Sequence, residues 1–257
     1  IILIRYMNMG VTGAAIATVT SQIISAVLVI IVLYHRNDAL KLRLKSLQIN
    51  FSELSKMISI GTAAGMQSAM YTIANILIQA SINSLGTDTI AAFTAYGKID
   101  TLFWMTIQSL GISVTTFTGQ NFGYGNKERV KKGIIYGMIL SVVVTGIVIV
   151  ILKLFGRSIY TLFTSDENVL KIGTDMLNFM VVAFPAYIII EIFSGSLRGI
   201  GDSWIPMIMT AGGVCVLRIV WIIVMVPKFP NFYTILWAYP ISWIITSTLF
   251  LIYMFGF

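Results

Sequence analysis

The sequence predicts an all-α membrane protein, a polytopic helical bundle with seven transmembrane helices, on three observations. Of its 257 residues, 57% are hydrophobic and only 11% charged, against about 25% charged in an ordinary soluble domain. The mean hydropathy of +0.90 leaves too little polar surface to face water all round. Seven apolar stretches, separated by polar turns, each reach the roughly 20 residues that one crossing of the hydrocarbon needs. Disorder, a fibrous repeat and a soluble enzyme are excluded on these grounds.

The crossings are expected near 11–34, 57–85, 89–118, 130–155, 174–197, 204–226 and 233–257. The first is an unbroken apolar run closed by His35, whose place there is explained by the attraction of a helix C-terminus for positive charge. Residues 37–50 alternate basic and apolar types, as in Lys41, Leu42, Arg43, Leu44 and Lys45, and should lie along the cytoplasmic headgroups. Asn50 with Glu53 resembles a capping box opening the second helix. That helix carries Gln67, Tyr71, Asn75 and Gln79 at intervals of four. They share one face and line either a helix interface or a water-filled pathway.

The third crossing holds Lys98 and Asp100, and a basic turn leads into the fourth. The fifth contains Pro185 and Glu191. The sixth opens at Asp202 or Ser203 with Pro206 in its first turn and contains Cys215 and Arg218, and the seventh contains Pro240. Membrane helices tolerate such prolines where neighbours satisfy the freed carbonyl.

Basic residues set the orientation, because cytoplasmic loops carry the excess of Lys and Arg. On one side fall Arg36, Lys41, Arg43, Lys45, Lys56, Lys127, Arg129, Lys131, Lys132 and Arg198. On the other fall Arg5, Lys153, Arg157, Lys171 and Lys228, with the acidic Asp166, Glu167 and Asp175. The first side is therefore cytoplasmic. The net charge of +7 is accounted for by this bias. It forms no face with base-reading side chains, so no nucleic-acid partner is expected.

The single cysteine, Cys215, supports neither a disulfide framework nor a thiolate metal site and reads as a small buried hydrophobe. Gly123 and Gly125 lack the strand, third glycine and acidic partner of a dinucleotide site and read as turn formers. No catalytic constellation, metal site or resident cofactor is visible. The methionines and aromatics read as packing and interface anchors.

An internal similarity bears on organisation. Ala17, Ser21, Ile23, Ile24 and Leu28 of the first crossing recur at an offset of 221 as Ala238, Ser242, Ile244, Ile245 and Leu249 of the last. Each would then be the final helix of a six-helix repeat, the second copy complete and the first represented by one helix. The chain is expected to be a piece of a longer one, with residues 1–34 closing a first lobe, 35–56 a cytoplasmic linker and 57–257 a second lobe.

Ionisable groups at bilayer depth are costly and normally face a cavity or one another. At about 1.5 Å of rise per residue, Lys98, Asp100 and Arg218 lie roughly 15–18 Å below the outer edge and Glu191 roughly 22–26 Å below it. Either the four form a neutral structural network, or Glu191 or Asp100 exchanges a proton or cation in a cavity while the basic residues adjust its affinity.

Two motifs go further. Gly119, Gln120, Asn121, Phe122, Gly123, Tyr124, Gly125, Asn126, Lys127, Glu128 and Arg129 follow the third crossing, and Leu197, Arg198, Gly199, Ile200, Gly201, Asp202, Ser203, Trp204, Ile205 and Pro206 follow the fifth. Both resemble turns of the multidrug and toxic compound extrusion (MATE) transporters. The resemblance implies twelve helices in two lobes, with an N-terminal lobe of the same polypeptide facing this one.

It also implies secondary active export of small amphipathic, often cationic compounds across the plasma membrane, in exchange for Na+ or H+, by alternating access. Some members carry a glutamate in the second span of this lobe and an aspartate in the fifth. Tyr71 and Tyr187 stand there in this sequence, and Glu191 lies one turn from Tyr187. Another coupling aspartate of the family belongs to the first helix of the first lobe, outside this chain. The alternatives are a lipid-linked oligosaccharide flippase, which calls for a larger and more arginine-rich cavity, and a seven-helix receptor. A retinal protein would need a lysine deep in the last span, which has none.

Overall fold

The computed structural model describes residues 3, 7, 9–35 and 48–256. The basic linker expected over 37–50 lies outside them except for its last three residues. The described residues are almost entirely helical: α1 (Gly10–His35), α2 (Phe51–Asn83), α3 (Thr87–Gly123), α4 (Lys127–Tyr160), α5 (Glu167–Gly199), α6 (Trp204–Thr210), a π-helical stretch (Ala211–Val216), α7 (Leu217–Met225) and α8 (Phe232–Gly256). They form two compact units, Ile1–Leu54 and Ser55–Phe257. In the first, α1 buries only Gly13 within its own unit, and His35 Nδ1 lies 2.9 Å from the Ile31 carbonyl in its last turn.

Each of the seven expected crossings has its helix, the sixth being a single rod made of α6, the π stretch and α7. Among the described residues, five helices are long and apolar enough to cross a membrane: α1, α4, α5, the α6–α7 rod and α8. The other two, α2 and α3, match them in length but not in apolar composition, because both carry a polar face. Polar faces of this kind are retained at membrane depth where they line a cavity.

Several helices extend beyond the expected ends, where polar first turns mask them in the sequence. The fifth begins at Glu167 rather than residue 174, because Asp166 caps it by accepting from the backbone N–H groups of Asn168 at 2.8 Å and Val169 at 3.2 Å. Asn50 caps α2 through the Ser52 N–H at 3.0 Å. The basic-end turns follow the same logic. Gly125 and Gly201 take φ of 82° and 94°, a left-handed conformation that side chains disfavour. Asn126 then caps α4 by accepting from the Arg129 N–H at 3.0 Å, and the Arg129 guanidinium lies 5.7 Å over the Phe117 ring. Asp202 supplies the cap of α6, its Oδ1 accepting from Trp204 and Ile205 at 3.1 Å each.

Loss of such a cap costs about 1 kcal/mol. Asp202→Ala should therefore lower the melting temperature by about 2 °C, while Asp202→Asn, which keeps an accepting oxygen, should not; differential scanning fluorimetry of the purified protein reads both.

In the second unit α5 is the central rod, packed against α3, α4 and α8. Within hydrocarbon, burial from water does not drive helices together, so packing rests on close approach across small residues. The α3–α5 seam has that pattern. A Cβ on Gly195 would stand 2.8 Å from the Gly111 carbonyl oxygen, and one on Gly199 would stand 2.6 Å from that of Thr115 and 2.7 Å from Thr118 Cβ. Gly119 in turn faces Gly199.

Further along the seam Phe103 and Phe184 stack with centroids 3.9 Å apart. Buried Tyr160 ties α4 to α3 by donating to the Ala92 carbonyl at 3.2 Å. Pro185 and Pro240 sit within unbroken helices, and Ser247 of α8 donates to the Ala186 carbonyl beside the first of them. The outer half of α2 joins α7 and α8 through Ile78, Ile82, Ile222, Ile235 and Ala238.

The π-helical stretch contains Gly212 and Gly213, and Gly213 lies directly against Thr246 of α8. Thr210, Val214, Arg218 and Ile222, four residues apart throughout, are all buried. Four residues overshoot an α-helical turn by about 40°, so three such steps would rotate the last of them well off the face. The wider π turn takes back part of that drift and carries Arg218 inward.

Candidate functional site

Besides an apolar groove of about 730 Å³ between α4, α5 and α8, two cavities among the described residues of the second unit are lined by polar side chains. The smaller, about 320 Å³, lies toward the basic end and is lined by Gln67, Tyr187, Glu191 and Arg198 among others. The larger, about 580 Å³, is walled by Asn75, Tyr96, Asp100, Trp104, Arg218 and Tyr239. Ser68, Tyr71, Gln108 and Tyr187 line both. The two are therefore compartments of one chamber with a waist at those four side chains.

In the smaller compartment Glu191 is held from its own helix. The Tyr187 hydroxyl, one turn before it, donates to Oε2 at 3.4 Å. Arg198, two turns after it, reaches Oε1 at 3.4 Å. Both contacts are at the long end of hydrogen bonding. Gly111 of α3 provides the room, because a Cβ there would run into the carboxylate. The Tyr71 hydroxyl at the waist is buried, with no hydrogen-bond partner among the described residues.

The larger compartment mixes aromatic side chains, Tyr71, Phe93, Tyr96, Trp104, Tyr187 and Tyr239, with polar and charged ones. Trp104 packs edge-on to Tyr187 and Trp243 with centroids at 4.6 and 5.9 Å, and Trp243 meets Tyr239 at 5.7 Å. Trp104 Nε1 donates to Asp100 Oδ2 at 2.6 Å. The Arg218 guanidinium lies 4.2 Å over the Tyr239 ring, a cation–π arrangement of high value in a desolvated site.

The expected site residues are thus divided. Gln67, Tyr71, Asn75, Asp100, Glu191 and Arg218 all line the chamber, whereas Lys98 is exposed and lines neither compartment. The expectation of one neutral network of four charges is corrected as well. Among the described residues no ion pair joins Asp100 to Arg218, and Glu191 pairs with Arg198, a residue of the turn motif. A helix places residues two apart on opposite sides, which explains why Lys98 leaves the face that Asp100 occupies.

The remaining motif residues, Gly119, Gln120, Asn121, Gly123, Arg129, Gly199, Gly201, Asp202 and Pro206, build the turns and the helix seam rather than the chamber. The Gln120 carbonyl accepts from the Tyr124 N–H at 3.2 Å, and that of Asn121 from the Asn126 N–H at 2.9 Å. Missed from the sequence were Trp104, Gln108 and Tyr239. The signal for the first two was present, since Asp100, Trp104 and Gln108 repeat the four-residue stripe of α2, diluted by intervening apolar residues.

Comparison with known proteins agrees with this architecture. The MatE family profile matches residues 63–224. The chain is 27% identical over 225 residues to the "Probable multidrug resistance protein NorM" of Thermotoga maritima, covering 87% of this chain and 48% of that protein. It is 24% identical over 208 residues to the "Probable multidrug resistance protein YoeA" of Bacillus subtilis, covering 80% and 45%. It spans about half the length of the curated relatives it matches. A solved structure described as the outward-facing conformation of a multidrug resistance MATE family transporter superposes with a TM-score of 0.89 at 19% identity, covering 98% of this chain and 57% of that one.

Proposed function

Because the chain belongs to the MatE family of multi-pass membrane transporters, we propose that the whole protein is a secondary active antiporter, exporting small amphipathic compounds in exchange for Na+ or H+. The observation that carries this reading is Glu191. Its carboxylate stands in the smaller compartment, gripped by two long contacts, beside the waist that leads to the larger one, in a chamber large enough for a drug-sized solute. A carboxylate so placed can take up a proton or cation in one state and release it in another. That gives the ion different affinities for the two states, without which no ion could drive a conformational change.

The opposite wall of the chamber is assigned to a preceding six-helix lobe of the same polypeptide, in keeping with the half-length match to the relatives. No cofactor beyond the coupling ion is called for. Family membership replaces the seven-helix receptor reading. The flippase alternative calls for a chamber richer in arginine; Arg198 and Arg218 are the arginines lining the two compartments.

The test is substrate-stimulated ion flux. Vesicles containing the whole protein, loaded with a pH-sensitive dye or with 22Na, should show proton or sodium movement on addition of an amphipathic cation such as ethidium. Absence of both fluxes in protein that binds the dye overturns the proposal.

A further inference from the structure

Two opposite charges enter the larger compartment from different helices, and neither closes on the other. Arg218 of α7 is 3% exposed. Its guanidinium rests on the Tyr239 ring, and its Nε is shielded from solvent without a hydrogen-bond partner. Among the described residues, no hydrogen bond or ion pair uses any of its donors. A ring face below a guanidinium satisfies its charge in part but leaves the five in-plane N–H donors free, and those donors match a carboxylate or phosphate fork.

Asp100 of α3 is the converse. One oxygen takes the Trp104 indole N–H at 2.6 Å, and the other is buried with no hydrogen-bond partner among the described residues. Tyr96, one turn earlier, points its hydroxyl toward this carboxylate but closes no hydrogen bond with it. Buried charges left in this condition are costly unless something completes them. Neutralising each other would have needed one ion pair, and the fold keeps them apart on walls of a compartment of about 580 Å³ lined by Phe93, Tyr96, Trp104 and Tyr239.

We propose that this compartment recognises an aromatic zwitterion, its anionic group received by the in-plane donors of Arg218 and its ammonium or N–H group by Asp100, with the ring system packed between the aromatic walls. This rests on the export reading and deepens it. A chamber suited to cations alone would have no use for an unpaired buried arginine.

Three related probes separate the poles: the dipeptide phenylalanyl-tryptophan, its C-terminal amide, which is cationic only, and its N-acetyl derivative, which is anionic only. In vesicles with the whole transporter, the zwitterion should be exported about tenfold better than either relative, the ratio that about 1.4 kcal/mol of differential binding produces. Arg218→Gln should erase the preference over the amide, Asp100→Asn the preference over the acetyl form, and Arg218→Lys should keep part of the first. Equal export of zwitterion and amide by the natural protein, or an unchanged ratio in Arg218→Gln, overturns the proposal.

Should the Arg218 variant not fold, thermal shifts of the natural protein in detergent decide between the alternatives. The zwitterion should raise Tm more than either relative, and equal shifts overturn the assignment. Because the thermal shift needs no ion gradient, a missing ethidium-driven flux would sink the antiport reading alone, and equal shifts from the three probes would sink zwitterion recognition alone.

Discussion

Glu191→Gln in the whole transporter is expected to reduce gradient-driven export to the level of vesicles without protein, while membrane expression and melting temperature change little. Glutamine keeps the size of the side chain and an oxygen for Tyr187 and Arg198, but it cannot bind a cation or exchange a proton. The stability effect should be below about 1 kcal/mol, because the Arg198 partner is partly solvated, with a side-chain exposure of 29%, and such pairs contribute little. The substrate should still bind and equilibrate down its own gradient, which separates loss of coupling from loss of the site. Export that persists with normal dependence on the ion gradient would remove Glu191 from the mechanism and leave Asp100 as the carboxylate to test.

The second large effect is structural. Gly199→Leu should cost at least the roughly 1–3 kcal/mol typical of overpacking and sharply reduce the yield of folded protein. Already at Cβ the new side chain meets the Thr115 carbonyl oxygen and Thr118, groups that cannot move aside without parting α3 from α5. Gly195→Ala, against the Gly111 carbonyl, should show a milder form of the same defect. The control is Gly146→Ala in α4, where a Cβ meets nothing within 4 Å. It should be neutral or slightly stabilising, as alanine is in a helix interior. Yield and thermal melts of the three variants, measured side by side, test the seam; a Gly199→Leu protein as stable as the control would refute it.

These two residues show how differently the sequence speaks about a helix and about its neighbours. Glu191 stands out in the sequence because a charge at bilayer depth is anomalous wherever it points. Gly199 stands out only as part of a turn motif, and its closest contacts are with Thr115 and Thr118, some eighty positions earlier. Lys98 is the reverse case. By depth alone it ranks with Asp100, but two residues along a helix is half a turn, and the fold turns it away from the chamber. The stripe of α2 was legible because Gln67, Tyr71 and Asn75 repeat cleanly every four residues. That of α3 was not, because Asp100, Trp104 and Gln108 alternate with the apolar residues that pack against α5.

Hydropathy, the basic turns and the spacing of proline, glycine and capping residues determined by themselves that this is a helical membrane protein and that the described residues form seven rods, though polar first turns hid up to two turns of a rod, as before residue 174 in α5. All of these depend on residues close together in the chain. The tertiary structure alone decided that α5 is the hub, that Glu191 answers to Arg198, that a π turn brings Arg218 onto Tyr239, and that Asp100 and Arg218 face one compartment without pairing. Those facts depend on the rotation of each helix about its axis, which in hydrocarbon is set by small-residue contacts between distant segments rather than by an apolar face of the helix itself.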